Sequence, residues 1–302
     1  MQLSVCVLCY GDYGDLARRC LESIWAADGW PYIRDVRIGL NAVGLPTRTY
    51  VAGLRAPVPV LRYVPERNVG KYPLMRRMFY GDQPPAEYVM WFDDDSYLTT
   101  PTPAWWQTVL TQLRTADLLG SMRAPWMPPG RLYSVPLRPG QVDGIKLQPW
   151  YTGREPGQLQ IGSRHGGHHR VYFCTGGWWV ARTAFLRQWD YPFPCLHHNG
   201  GDSILGELWH QQGYRYQHFQ QGVAINADVH GQESKAPRRG LTRTPWAWEG
   251  YQPGQTMDLS HQQFACDITA APSDERSTQT PAPVPGHQQG NAPARAGAGV
   301  PH

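Results

Sequence analysis

Residues 3–24 read LSVCVLCYGDYGDLARRCLESI. Leu3–Cys9 is a continuous apolar run of strand length, and the Gly-Asp-Tyr-Gly that follows is turn chemistry. From Asp15 to Ala27, Leu16, Ala17, Cys20, Leu21, Ile24 and Trp25 fall at helical spacing. A wholly apolar strand that turns at glycines into an amphipathic helix suits a sheet buried on both faces. The alternation continues outward. Val36–Leu40 and Val58–Val64 read as strands around a helix over Thr47–Leu54. Tyr72–Tyr80 places Leu74, Met75, Met78 and Phe79 on one helical stripe, Tyr88–Phe92 reads as a buried strand, and Pro103–Leu119 as a helix. Such βαβα order predicts an α/β, Rossmann-like fold: a mostly parallel sheet flanked by helices.

Residues 122–170 break the pattern, with seven Pro and eight Gly among 49 residues. They are expected to form an irregular insertion with short strands around a site. Regularity returns at Val171–Phe173 and Trp178–Ala181, in a helix from Asp202 to about Gln212, and in strands near Tyr216–Phe219 and Gly222–Asn226. One domain over 1–271 is therefore expected, followed by a Pro/Gly/Ala-rich tail over 272–302 that lacks the apolar residues to fold.

Composition narrows the class. Charged residues make up only 17%, against 32 Gly, 28 Pro and 13 Trp among 302 residues, which excludes coiled coils and long bundles. The net charge of +4 admits a polyanionic partner or an anionic small substrate without requiring either. No apolar run has the length of a membrane span, and the opening run is too short for a signal peptide. A cytoplasmic location is the expectation. Cys6 and Cys9 form a C-x-x-C, but three residues apart on a strand they point to opposite faces, so buried thiols are expected rather than a zinc or redox pair.

The chemistry concentrates in Trp91-Phe92-Asp93-Asp94-Asp95-Ser96. Three acids directly after a buried strand stand at the carboxyl end of a parallel sheet, where open α/β folds bind ligands. Clustered carboxylates repel unless a cation joins them, and a hard divalent ion such as Mg²⁺ or Mn²⁺ would also hold a diphosphate. The plain alternative is a solvated acidic turn. Asp202, after Gly200-Gly201 and at the start of a helix, suits a general base, and equally suits an N-cap. Trp178 and Trp179 offer at most a one-sided stacking platform, since adjacent strand residues face opposite ways. His165, His168 and His169, with His197 and His198, match no common zinc spacing and read as rim residues.

Taken in order, the opening strand and turn, the strand ending near Asn41, the run RNVGKYPLMRR, FDDD and GGDSILGELWHQQGY resemble a GT-A glycosyltransferase of the family 2 type over about residues 1–230. The resemblance implies metal-dependent transfer of a sugar from a nucleotide-diphosphate donor to an acceptor hydroxyl, with inversion. Carried onto these residues, it implies that Tyr10 and Asp12 line the nucleotide. Asn41 stands where the family has an acid that contacts the base. Asp93 and Asp95 match the acids of the DxD metal motif, and Asp94 is placed to touch ribose. Asp202 matches the catalytic acid, with Glu207 second, although Gly201-Asp202 replaces the usual Glu-Asp. His230 resembles a third metal ligand. Lys235, Arg238 and Arg239, with Lys71 and Arg67 upstream, are phosphate candidates. FDDDSY and NADVHGQESKAPRRG further resemble GT-A enzymes associated with hydroxymethylated DNA bases, implying an acceptor hydroxyl on a pyrimidine in DNA. The family at large implies a saccharide or lipid-linked acceptor, and both stay open. A sugar-phosphate nucleotidyltransferase would use the same fold and acids but needs a basic loop after the first strand, which Tyr10-Gly-Asp-Tyr-Gly lacks. A non-catalytic binding module would leave the triple acid and Asp202 without a joint purpose.

Overall fold

The computed structural model describes residues 1–225, apart from positions 82, 133 and 138 and the segments 123–131, 161–167 and 194–200. Strand β1 (Leu3–Tyr10) leads into α1 (Gly14–Ala26), β2 (Ile33–Asn41), α2 (Leu45–Gly53), β3 (Val60–Tyr63), α3 (Lys71–Tyr80) and β4 (Tyr88–Asp93). There follow β5 (Tyr97–Leu98), α4 (Pro103–Gln112), β6 (Leu118–Gly120), β7 (Ser134–Pro136), α5 (Pro139–Lys146), β8 (Gln158–Gln160) and β9 (His168–Tyr172). The described chain closes with β10 (Trp178–Arg182), α6 (Thr183–Gln188), α7 (Gly201–Gln212), β11 (Tyr216–His218) and β12 (Val223–Ala224).

The main sheet runs β11-β6-β10-β4-β1-β2-β3. β1 pairs in parallel with β2 and β4, β2 with β3, and β11 with β6. Only β10 is reversed, antiparallel to both β4 and β6. The fold is therefore the mostly parallel, helix-flanked sheet expected. Alternate residues of β1 feed two cores. Leu3, Val5, Val7 and Cys9 pack with α1 and α4, while Cys6 and Leu8 pack with α3 and α7. Cys6 and Cys9 are thus buried on opposite faces, and burial raises the Cys6 thiol well above its ordinary range.

One element departs from expectation. The apolar run over 103–119 is split: α4 stops at Gln112 and Leu118–Gly120 becomes β6. Leu118 and Leu119 are fully buried in opposite cores, the two-residue alternation of a strand, and sheet pairing overrides the local helical signal. Within 122–170 the described parts include α5, which periodicity did not signal, and a small antiparallel sheet β7-β9-β8. The 272–302 tail lies outside the described residues.

Candidate active site

β4 ends in the acidic run beside the carboxyl end of β1, with Leu8 level with Asp93. A turn fixes its exit, where Ser96 N–H donates to Asp93 C=O at 2.9 Å and Asp93 N–H to Gly177 C=O at 2.8 Å. The three carboxylates then diverge. Asp93 is partly exposed: its Oδ2 accepts from Lys71 Nζ at 2.7 Å and its Oδ1 from the Trp91 indole N–H at 3.1 Å. Asp94 is 1% exposed and accepts the Tyr10 amide at 2.9 Å, tying β4 to the end of β1. Asp95 is partly exposed, with its Oδ1 buried. The expected ribose contact by Asp94 is therefore corrected: its carboxylate faces inward.

Lys71 opens α3, placed by the positive φ of Gly70 (86°), a backbone angle natural to glycine. Its ammonium also donates to Gly176 C=O at 3.0 Å and lies 5.7 Å from the centroid of the Trp91 ring. Asp202 opens α7. A Cβ placed on Gly176 would stand 3.3 Å from Lys71 Nζ and 3.6 Å from Asp202 Oδ2, so α3, β4, the turn before β10 and α7 converge on one point. Burial raises the Asp202 carboxyl above the usual carboxylate range; the Lys71 charge and the N–H groups of Ser203 and Gly176 offset this only in part. The Ser203 N–H donates to Oδ1 at 2.9 Å, so Asp202 also takes up one of the first-turn amides of its own helix. Beneath it, the buried Tyr72 ring fills the space a Gly201 side chain would need, with Tyr72 OH 2.4 Å from that position. Tyr191 OH donates to Gly201 C=O at 3.0 Å, fixing the start of α7 from below.

The loop before Lys71 is clasped by residues that motif reading undervalued. Asn41 is 1% exposed; its amide donates to Asn68 Oδ1 (2.9 Å) and accepts from Val69 N–H (3.0 Å). Asn68 Oδ1 also accepts from Gly70 N–H at 3.0 Å. Asn41 therefore positions the 68–70 loop, and its side-chain amide is engaged there. Asn68 was missed; the Asn-x-Gly spacing directly before Lys71 was the available signal. Tyr10 is partly exposed and Asp12 exposed, the latter 2.8 Å from where a Gly44 Cβ would stand, so the loops after β1 and β2 adjoin.

One further expectation is corrected. Trp178 and Trp179 are 0% and 2% exposed and lie in opposite cores, so neither is a stacking platform. Trp179 instead stacks on Trp91 (6.1 Å, 16°), supporting the ring beneath Lys71. Glu207 is 1% exposed, its Oε2 accepting Gly157 N–H (2.9 Å) and its Oε1 the Gln211 amide (2.8 Å). It ties the chain around Gly157 to α7, with both carboxylate oxygens engaged in that bracing. His230, Lys235, Arg238, Arg239, His165, His197 and His198 lie outside the described residues, while Arg67 is exposed.

Among the described residues no three His, Cys, Asp or Glu side chains gather as a metal-binding group. Asp93 and Asp95 are the partly exposed carboxylates of the acidic run, the donor type that can hold an ion completed by substrate phosphates. No helix among the described residues is long and apolar enough to cross a membrane.

No family model matches the chain, and no curated protein matches it. Solved structures do. S. aureus TarS 1-349 aligns at 17% identity over 73% of this chain and 58% of that one, with a TM-score of 0.48. The mannosyltransferase PcManGT from Pyrobaculum calidifontis, in complex with GDP-Man and Mn²⁺, aligns at 16% over 72% and 54%, with a TM-score of 0.46. GalNAc-T7 with UDP, GalNAc and Mn²⁺ aligns at 13% over 72% and 41%, with a TM-score of 0.48. The chain thus spans little more than half of the first of these.

Proposed function

We propose that the protein is a metal-dependent glycosyltransferase that moves a sugar from a nucleotide-diphosphate donor to an acceptor hydroxyl by single displacement, with inversion. The observation that carries this reading is the convergence of Lys71, Asp93 and Asp202 at the carboxyl end of a parallel sheet. A half-buried carboxylate of raised pKa is suited to take a proton from a hydroxyl near neutral pH. Asp202 removes the acceptor proton as that oxygen attacks the anomeric carbon, and the bond to the diphosphate breaks with its electron pair on the departing phosphate oxygen. Lys71 has three N–H donors, two of them spent on Asp93 and Gly176, and holds the acidic end of β4 in place beside the leaving phosphate. Asp93 and Asp95 would hold the divalent ion, Mn²⁺ or Mg²⁺, which when bound neutralises charge on the departing diphosphate. The Mn²⁺ in PcManGT and GalNAc-T7 accompanies their nucleotide ligands and is consistent with this assignment. The acceptor hydroxyl we propose to test is one on a hydroxymethylated pyrimidine in DNA, on the resemblance carried by FDDDSY and NADVHGQESKAPRRG, with a saccharide or lipid-linked hydroxyl as the alternative.

A screen of nucleotide sugars for donor hydrolysis, with Mn²⁺ and with chelator, tests the reading. One donor is turned over in Mn²⁺, chelation stops the reaction, and Asp202→Asn lowers turnover at least about a hundredfold with melting unchanged. Turnover retained in Asp202→Asn refutes the assignment.

A further inference from the structure

The basic residues are not spread evenly. Residues 45–81 carry seven Lys or Arg and a single Glu, whereas the whole chain has 28 basic and 24 acidic residues. One segment therefore holds more excess positive charge than the entire protein. It comprises α2, β3 and α3, and β3 is the last strand of the sheet order, an edge. A groove of about 680 Å³ runs between β3 and the second half of α3, lined by Arg62, Arg76, Arg77, Tyr63 and Tyr80. A second hollow of about 370 Å³ on the α2 side shares Val60 and Arg62 with it and adds Arg55. The described lining of both contains no acidic side chain.

The arginines are arranged, not loose. Arg62 donates to the carbonyls of Val51, Val60 and Leu54, and Arg55 to those of Ala52 and Leu54. These bonds fix the guanidinium positions without neutralising their charge. Among the described residues Arg76 is the one of these arginines with an ion pair, to Asp190 at 2.9 Å, and it lies 4.8 Å from the centroid of the Tyr80 ring. Arg55, Arg62 and Arg77 are exposed. We infer that this edge is a binding surface for a single-stranded nucleic acid, whose phosphates follow the row Arg55, Arg62 and Arg77 and whose bases meet the tyrosine-lined groove. Charge complementarity selects a polyanion, and the interleaved aromatic rings select one that carries bases, as in other single-strand binding grooves. A protein of net charge only +4 gains a directed attraction by concentrating its cations there.

The inference extends the acceptor side of the transferase reading, and binding is measured apart from transfer. The test is fluorescence anisotropy of a labelled single-stranded DNA oligonucleotide titrated with the full chain at several salt concentrations, with inorganic polyphosphate as competitor. Wild type binds with an affinity that falls steeply with salt. The double variant Arg55→Gln/Arg77→Gln binds about tenfold or more weakly, its log–log salt slope flattened by about 1 to 1.5. Both residues are exposed and outside the transfer machinery, so melting and donor hydrolysis stay at wild-type values. Tyr63→Ala weakens DNA while leaving polyphosphate binding unchanged. Unaltered DNA binding in the double variant overturns the proposal, as does polyphosphate competing equally per charge. Asp202→Asn binds DNA as wild type does. Were wild type to hydrolyse no donor yet bind DNA through these arginines, the transferase reading would fail and this one would stand.

Discussion

Lys71→Met removes the one ammonium that joins the two carboxylates of the site, and its effects follow from two distances. The first is the 2.7 Å bond to Asp93, between side chains only 13% and 20% exposed. Breaking a fully buried pair costs about 3–5 kcal/mol and an exposed one at most about 1. This pair lies between those limits, so about 2 kcal/mol is expected, or roughly 4–8 °C in the melting temperature for a domain of this size. The second concerns Asp202, whose Oδ2 and the Lys71 ammonium both stand within 3.6 Å of the same point above Gly176. That places the two charges no more than about 7 Å apart, and at an effective dielectric of about 20 such a separation still attracts by roughly 2 kcal/mol, less where solvent enters. Losing that attraction pushes the Asp202 carboxyl, already raised by burial, higher still. A general base works when deprotonated. Activity is therefore present above its folded pKa and lost as pH falls through it, and the variant loses activity at higher pH than wild type. The assay is donor-hydrolysis kcat against pH for wild type, Lys71→Met and Lys71→Arg, with melts alongside. The acid limb should move alkaline by at least about one pH unit in Lys71→Met, and Lys71→Arg should move it back. A limb that stays fixed, or moves toward acid, would refute the coupling of Lys71 to Asp202.

Trp179→Ala removes the ring stacked under Trp91 and should cost about 3–5 kcal/mol in denaturant unfolding, while KM for the donor in any surviving fold changes little. Glu207→Gln keeps a carbonyl acceptor for Gly157 N–H and should leave kcat within about threefold of wild type; a hundredfold loss would restore Glu207 as a base. Asp35→Asn strands the fully buried Arg37 guanidinium, for a loss of about 3–5 kcal/mol by urea titration. The Asp35 carboxyl is also acid-sensitive: burial alone would raise its pKa, but bonds from Arg37, Ser4 and Arg34 hold it below the ordinary value. Its stabilising contribution is present above the unfolded carboxylate range and lost as pH falls through the lower folded value. The variant's stability should therefore vary less with pH on the acid side.

Much of the frame was legible because local pattern and tertiary role coincide. The wholly apolar β1 is apolar because both its faces feed cores, and the α1 and α3 stripes are the faces they bury. The carboxyl-end position of Asp93 and the helix start of Asp202 were readable for the same reason. Where the sequence reading went wrong, side-chain direction decided the matter. Asp93 and Asp94 differ by one residue and face opposite ways, one toward Lys71 and one toward the Tyr10 amide. Trp178 and Trp179 left room for a one-sided platform, but β10 is inserted between β4 and β6, so both of its faces are covered. The α4–β6 break depended on a sheet position that no local window contains. Asn41 and Asn68 carry a clasp whose partners are set by loop geometry, not by residue type.

The Lys71–Gly176 bond closes a loop of 105 residues, and β10 enters the sheet as its one reversed strand between neighbours made earlier in the chain. During synthesis, β1 to β4 and α1 to α3 emerge as a nearly complete half, with Lys71 and Asp93 already available to each other. Gly176 and Asp202 arrive later, and a chain stalled before β10 would hold a formed cation–carboxylate pair that faces no base. Chemical competence is thus the last property the fold acquires. Recovery of transfer after unfolding would lag recovery of helix signal, and the length of that lag would time the docking of β10 and α7 onto a sheet already half assembled.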